Sequence, residues 1–272
     1  MIISLEGEEA TGKSTFAYTA PLPIIGFGFD LGEERAIFGA KYDDYFKDLD
    51  VEIVKYEPKS VGREVYGKVT GDIVIYELPE PVQLETTHIS GCIELWSYFI
   101  QLFEKAIMDE KVKSTVVDTM TLARRVKSDA YLQELQQKEG SNRKQLLQLE
   151  YGHANDSIRN LYTLAAGMGK NLVAIHHLTD EYKPAPGPNG TIISSPTGVR
   201  LLEGLSQTYR YVDVAIRMHK LKGKLEGELI KVGYNLSLEG QRFPDPSWDL
   251  ISNVVEMSLS GRIKLPKRAV EV

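Results

Sequence analysis

Near the start of the chain, Gly7-Glu8-Glu9-Ala10-Thr11-Gly12-Lys13-Ser14 completes the pattern G-x-x-x-x-G-K-[ST], followed by Thr15. Residue types in this order are suited to holding a polyphosphate. The glycines let the backbone wrap the anion so that successive N–H groups point at it. Lys13 brings a mobile positive charge to the β- and γ-phosphates, and Ser14 offers a hydroxyl to Mg²⁺. Residues 7–15 are therefore expected to bind a nucleoside triphosphate with Mg²⁺. Hydrolysis further requires an acid to hold the metal and a group to activate water. Asp118 ends the apolar run Val116-Val117 and is the candidate metal acid. The competing reading is an N-cap for the helix that follows.

For the water-activating group, Asp30-Leu31-Gly32-Glu33-Glu34 follows a second apolar run. Glu33 and Glu34 are both candidates for the base, with Asp30 as a turn cap, against the alternative of a solvated acidic turn. His176 and His177 end a third apolar run. Neighbouring residues on a strand point to opposite faces, so the pair cannot chelate one metal. His177, nearer the strand end, is the candidate active-site partner, and His176 is expected in the core.

Strands must bring these groups together. Met1–Glu6, Leu22–Asp30, Val112–Asp118 and Asn171–His177 read as buried strands. Helical periodicity occupies Ile93–Met108, about Leu122–Gln137 and about His153–Met168. Strands alternating with helices imply an α/β fold with a mostly parallel central sheet covered on both faces. The ligand then lies at the carboxyl ends of the strands. Residues 51–90, with Val51–Val54 and Asp72–Tyr76 as strands, read as a β-rich insertion or edge extension. Leu178 to about Thr197, punctuated by Pro184-Ala185-Pro186-Gly187-Pro188-Asn189-Gly190, reads as a long loop. Further strands are expected near Val212–Met218 and Glu228–Leu236, with one domain over 1–240 and a tail over 241–272.

Composition narrows the class. The 272 residues carry 32 Lys and Arg against 38 Asp and Glu, a net charge of −6, which opposes whole-surface attraction to nucleic acid. Any such contact must be made by particular loops. One cysteine, Cys92, allows neither an intrachain disulfide nor a cysteine-built zinc site, and suits a reducing, cytoplasmic setting. No apolar stretch is long enough to cross a membrane, and with a core strand read at Met1–Glu6 no signal peptide is expected.

The order of phosphate loop, acid-tipped strand, Val116-Val117-Asp118-Thr119, helix, loop, helix and His-tipped strand resembles the RecA recombinase core. Glu9 matches a Glu in RecA phosphate loops. The chain more closely resembles the phage-encoded RecA-like ATPases associated with single-strand annealing. In those, Val117-Asp118-Thr119, His177 and Tyr211–Met218 recur, and Phe243–Trp248 is a weaker match. The resemblance implies a RecA-like P-loop ATPase acting in DNA recombination or replication in a phage host's cytoplasm. It also implies two loops lining a single-stranded DNA path, here Gly140–Tyr151 and Leu178–Arg200. Arg143 and Lys144 in the first, and Tyr182, Lys183 and Arg200 in the second, would then contact DNA through phosphates and base stacking. Lys231 and the Lys220-Lys222-Lys224 cluster are candidates for action in trans, in a ring or filament, against the plainer reading of a solvated basic hairpin. A single-strand-binding or other replication protein is a further implied partner. Glu33 lies three residues after Asp30, not in the tight Asp-x-Glu arrangement of several relatives. Two other readings remain: a nucleoside or nucleotide kinase, and an ATP-dependent loader or clamp without significant hydrolysis.

Overall fold

The computed structural model describes residues 1–39, 43–57, 66–67, 69, 71–84, 88–139, 143–186 and 191–268. Nine strands form one sheet: β1 (Ile2–Gly7), β2 (Ile24–Gly28), β3 (Val51–Lys55), β4 (Ile73–Glu77), β5 (Ser114–Asp118), β6 (Asn171–His176), β9 (Val214–Leu221), β10 (Lys224–Val232) and β11 (Arg242–Pro244). Their spatial order is β11-β10-β9-β1-β6-β5-β2-β4-β3. The seven strands from β9 to β3 are mutually parallel, and β10 and β11 extend one edge antiparallel. This is the mostly parallel α/β sheet expected from the sequence. β3 and β4 are parallel members of the opposite edge, so residues 51–55 and 73–77 lengthen the main sheet.

The central strands are buried on both faces, as their unbroken apolar runs require. One face packs Ile25, Phe27 and Val117 against α4 (Cys92–Met108), α5 (Met120–Glu139) and α6 (Tyr151–Gly167). In α4, Leu95, Phe99, Leu102 and Phe103 recur at helical spacing and point inward. Each fully buried side chain of this size contributes roughly 1.5–3 kcal/mol. The other face packs Ile3, Leu5 and Val116 beneath α1 (Lys13–Ala17), with Trp248, Ile251 and Val255 of α7 (Trp248–Ser258) in the same core. Ser247 caps α7 by accepting from the Leu250 N–H. The short helices α2 (Glu33–Ile37) and α3 (Asp43–Phe46) follow β2.

One expectation fails. Leu178 to Thr197 is not a loop: β7 (Leu178–Pro186) and β8 (Ile192–Leu202) form a separate antiparallel hairpin that starts where β6 ends. Both strands of a two-stranded sheet are edges, so Pro184 and Pro186 are tolerated there. The punctuation at Gly187–Gly190 lies outside the described residues, as do Gly140, Ser141 and Asn142 of the first expected loop.

A buried ion pair ties the phosphate-loop strand to its neighbour. Glu6 is fully buried directly opposite Arg217 of β9, and its carboxylate accepts from Arg217 Nε at 2.7 Å and from Tyr209 Oη at 2.6 Å. Removing one partner strands a buried charge. Arg217→Ala is expected to lower unfolding free energy by about 3 kcal/mol, and Glu6→Gln with Arg217→Met to recover most of it, read by urea denaturation.

Candidate functional site

At the carboxyl ends of the central strands lies a cavity of about 810 Å³. Its walls are the loop residues 9–15 together with Asp30, Gly32, Arg35, Ala36, Asp118, Thr119, Leu122, His177 and Lys220. The phosphate loop leaves β1 at Gly7, whose Cα approaches β9 so closely that a Cβ would fall 2.6 Å from the Met218 carbonyl oxygen. Gly12, at φ 82°, turns the loop into α1 in a conformation that side-chain-bearing residues rarely adopt. Lys13 is buried, and its ammonium donates to the Gly7 and Glu8 carbonyls at 2.9 and 2.7 Å. Burial holds its pKa below the ordinary lysine value, offset in part by Asp118, Glu8, Asp30 and Glu9. Thr11 steadies the loop by donating to the Glu8 carbonyl.

Asp118 ends β5 two strands away from β1 and is 4% exposed. Burial raises its pKa to about 6, while the Ser14 hydroxyl bonded to it pulls the other way. The cap reading of Asp118 does not describe it, because the neighbouring Thr119 hydroxyl accepts the Leu122 N–H of α5. A buried carboxylate facing the Ser14 hydroxyl is a donor pair that fits Mg²⁺; Ser14 and Asp118 are the residues that would hold it. Among the described residues there is no cluster of three or more His, Cys, Asp or Glu side chains suited to a protein-only metal site.

β6 lies between β1 and β5, so its end falls between the phosphate loop and Asp118. His176 points into the core, fully buried and hydrogen-bonded to Tyr162 Oη at 3.1 Å, and burial drops its pKa to about 3. His177 points the other way, lines the cavity, and sits 3.9 Å from Asp30. Its backbone N–H is held by the Thr121 hydroxyl of α5.

The two expected bases do not reach the cavity. Glu33 and Ile37 share one face of α2, and Ile37 is anchored in the core, so Glu33 is drawn inward to 1% exposure. Its carboxyl lies against β2, where a Cβ on Gly28 would be 2.1 Å from Oε1. One oxygen accepts the Gly32 N–H at 3.0 Å; the other is buried without a partner. Burial, then Asp118, pushes its pKa up to about 8. Glu34 points outward into a separate cleft with Leu31, Arg35, Lys55 and Glu77.

The residues matched to DNA contacts are mostly engaged by acids. Arg143 pairs with Glu150, Lys183 with Glu181, and Arg200 with both Glu8 of the phosphate loop and Asp180. Lys144 is exposed, and Tyr182 is 56% exposed on β7. Lys231 is not free for a neighbour: its ammonium donates to the Tyr209 and Val212 carbonyls. Lys220 lines the cavity of its own chain. Arg35 and Lys220 are cavity cations that the sequence reading did not single out in cis. The signal for Arg35 was its place on the helix just after the acid-tipped strand.

No protein-family model and no curated protein matches the chain. Among solved structures, a KaiC-like protein from Pyrococcus horikoshii superposes with a TM-score of 0.41 at 15% identity, over 89% of this chain and 83% of that one. The RadB recombinase gives 0.43 at 12% identity, over 89% and 85%. At these values neither likeness bears on function, and the fold rests on the strand order above. No helix among the described residues is long and apolar enough to cross a membrane.

Glu33 also sets a pH dependence. Its pKa is about 8 in the fold against 4.5 ordinarily, with Asp118, Glu77 and Tyr18 as the groups facing it. The native state therefore holds the extra proton between these values, and stability falls as pH rises through that window, by up to ~1.4 kcal/mol per pH unit. Below it both states are neutral and the effect is absent. Glu33→Gln is expected to flatten the fall between pH 6 and 8 in urea unfolding curves.

Proposed function

We propose that this chain is an ATPase of RecA type that binds ATP with Mg²⁺ in the cavity at the strand ends and hydrolyses it. The observation that carries the reading is the meeting of Lys13, Ser14, Asp118 and His177 in one cavity, from three strands far apart in sequence. The loop N–H groups and Lys13 would hold the β- and γ-phosphates. Ser14 and Asp118 would hold Mg²⁺, which would supply positive charge against the charge developing in the reaction. Asp118, pushed up to about 6, is ionised above that value and is further favoured in the charged form by a cation beside it. Lys220 and Arg35 add positive charge to the walls. His177 would sense the γ-phosphate, and the chain runs from it straight into the β7–β8 hairpin.

Single-stranded DNA is the proposed partner of that hairpin. Tyr182 offers an exposed ring for base stacking, and this supports the reading more than the local charge does, because Lys183 and Arg200 are paired with acids. Nucleotide state would then alter the hairpin through His177 and through the Arg200–Glu8 pair on the phosphate loop. The motif resemblance supplies the setting: recombination or replication of a phage type, alone or as a ring or filament with other replication proteins.

Phosphate release measured with and without single-stranded DNA tests both parts. Lys13→Ala is expected to abolish release, and Asp118→Asn to lower it by roughly 100-fold or more with the melting temperature kept. Tyr182→Ala is expected to weaken DNA affinity about tenfold without changing release in the absence of DNA. Release unchanged in Lys13→Ala would contradict the ATPase reading; release indifferent to DNA would contradict the partner alone.

A further inference from the structure

Three carboxyl groups follow β2, and the fold sends them to three different places. Gly28 of β2 lies opposite Asp118 of β5, and the next two N–H groups, of Phe29 and Asp30, both donate to the Asp118 carbonyl at 2.5 and 3.2 Å. Asp30 is thereby fixed just beyond the metal acid. Its side chain lines the cavity with Lys13, Ser14, Asp118 and His177, is 57% exposed, and stands 3.9 Å from His177 Nε2. Lys13 feels its charge. Glu33, by contrast, is walled in between α2 and Gly28 and does not line the cavity. Glu34 faces the neighbouring cleft.

On the reading of the chain as an ATPase, we propose that Asp30 is the carboxylate that activates the attacking water, with His177 as the residue that positions it. The water oxygen bonds to the γ-phosphorus while the bond from phosphorus to the β–γ bridging oxygen breaks, and that oxygen leaves on ADP with the electron pair. Asp30 takes a proton from the water and returns it to the product phosphate. Asp30 suits this place for three reasons drawn from the geometry. It is the acid after β2 that shares a wall with the phosphate loop. It stays open to water, which a buried carboxyl does not. And it has a polar neighbour, His177, on the strand between the phosphate loop and Asp118, so one contact can fix its direction toward the γ-phosphate. Glu33 is left with a packing role, filling the space that Gly28 leaves, as Tyr18 fills the space at Gly26.

The experiment compares the native chain with Asp30→Asn, Asp30→Glu, Glu33→Gln and His177→Ala. Phosphate release is followed across a Mg²⁺ series, and ATP binding is read separately with a fluorescent ATP analogue. Asp30→Asn is expected to lower kcat roughly 100-fold or more, with analogue affinity and the Mg²⁺ midpoint within about twofold of the native chain. Asp30→Glu is expected to retain part of the turnover. His177→Ala is expected to lower kcat about tenfold without changing KM, and Glu33→Gln to keep kcat within about threefold. Asp30 is mostly exposed, so its variants test chemistry apart from folding, and a melting curve for each confirms that. Collapse of turnover in Glu33→Gln with Asp30→Asn near native would overturn the proposal. A Mg²⁺ midpoint displaced about tenfold in Asp30→Asn would also overturn it, by making Asp30 a metal ligand. Absence of release from the native chain is a different result, and sinks the ATPase reading itself.

Discussion

The site depends on backbone hydrogen bonding between parallel strands that end at nearly the same height. Glu6 of β1 is level with His176 of β6 and with Arg217 of β9, and Gly28 of β2 is level with Asp118 of β5. One residue beyond these levels stand Gly7, His177 and, two beyond Gly28, Asp30. A parallel ladder spaces its bonds evenly and fixes register along the whole strand. A one-residue slip of β5 or β6 would turn Asp118 or His177 to the opposite face of the sheet. The positions of the candidate side chains are thus consequences of pairing among strands whose apolar side chains do not line the cavity.

The same arrangement concentrates negative charge in a poorly hydrated place. Burial most of all, and then the nearby Asp118 and Glu77 carboxylates, disfavours ionisation of Glu33. The fold answers in two ways. Glu6, the buried acid near the carboxyl end of β1, is matched by Arg217 and Tyr209. Among the described residues no guanidinium pairs with Asp118; Ser14 and Lys13 counter its burial only in part. That imbalance is what a divalent cation would relieve, and it gives the protein a reason to be more stable with a nucleotide–metal complex than without.

Much of this was legible in the residues. The phosphate loop was, because its chemistry requires contiguous residues. Asp118 and the split between His176 and His177 were, because strand ends and strand alternation are local properties. Which of the carboxyls after β2 lines the cavity was not. It is decided by the rotational phase of a five-residue helix, which is set by Ile37 seeking the core. The spacing of Glu33 from Ile37, one helical turn, held that information. The β7–β8 hairpin was hidden because Pro184, Pro186 and the glycines read as loop chemistry, whereas pairing with residues 192–202 is a distant event. Nor does any local pattern reveal the partners of Lys231 and Arg200: backbone carbonyls for one, Glu8 and Asp180 for the other.

The central claim is that Ser14 and Asp118 hold Mg²⁺ against the phosphates of a nucleotide cradled by residues 7–15. Calorimetric titration of the native chain with ATP, once with Mg²⁺ and once with EDTA, tests it most directly. The account predicts binding with one ATP per chain that tightens about tenfold or more with Mg²⁺, and loss of that difference in Asp118→Asn. Absence of binding, or equal affinity with and without the metal, would contradict it.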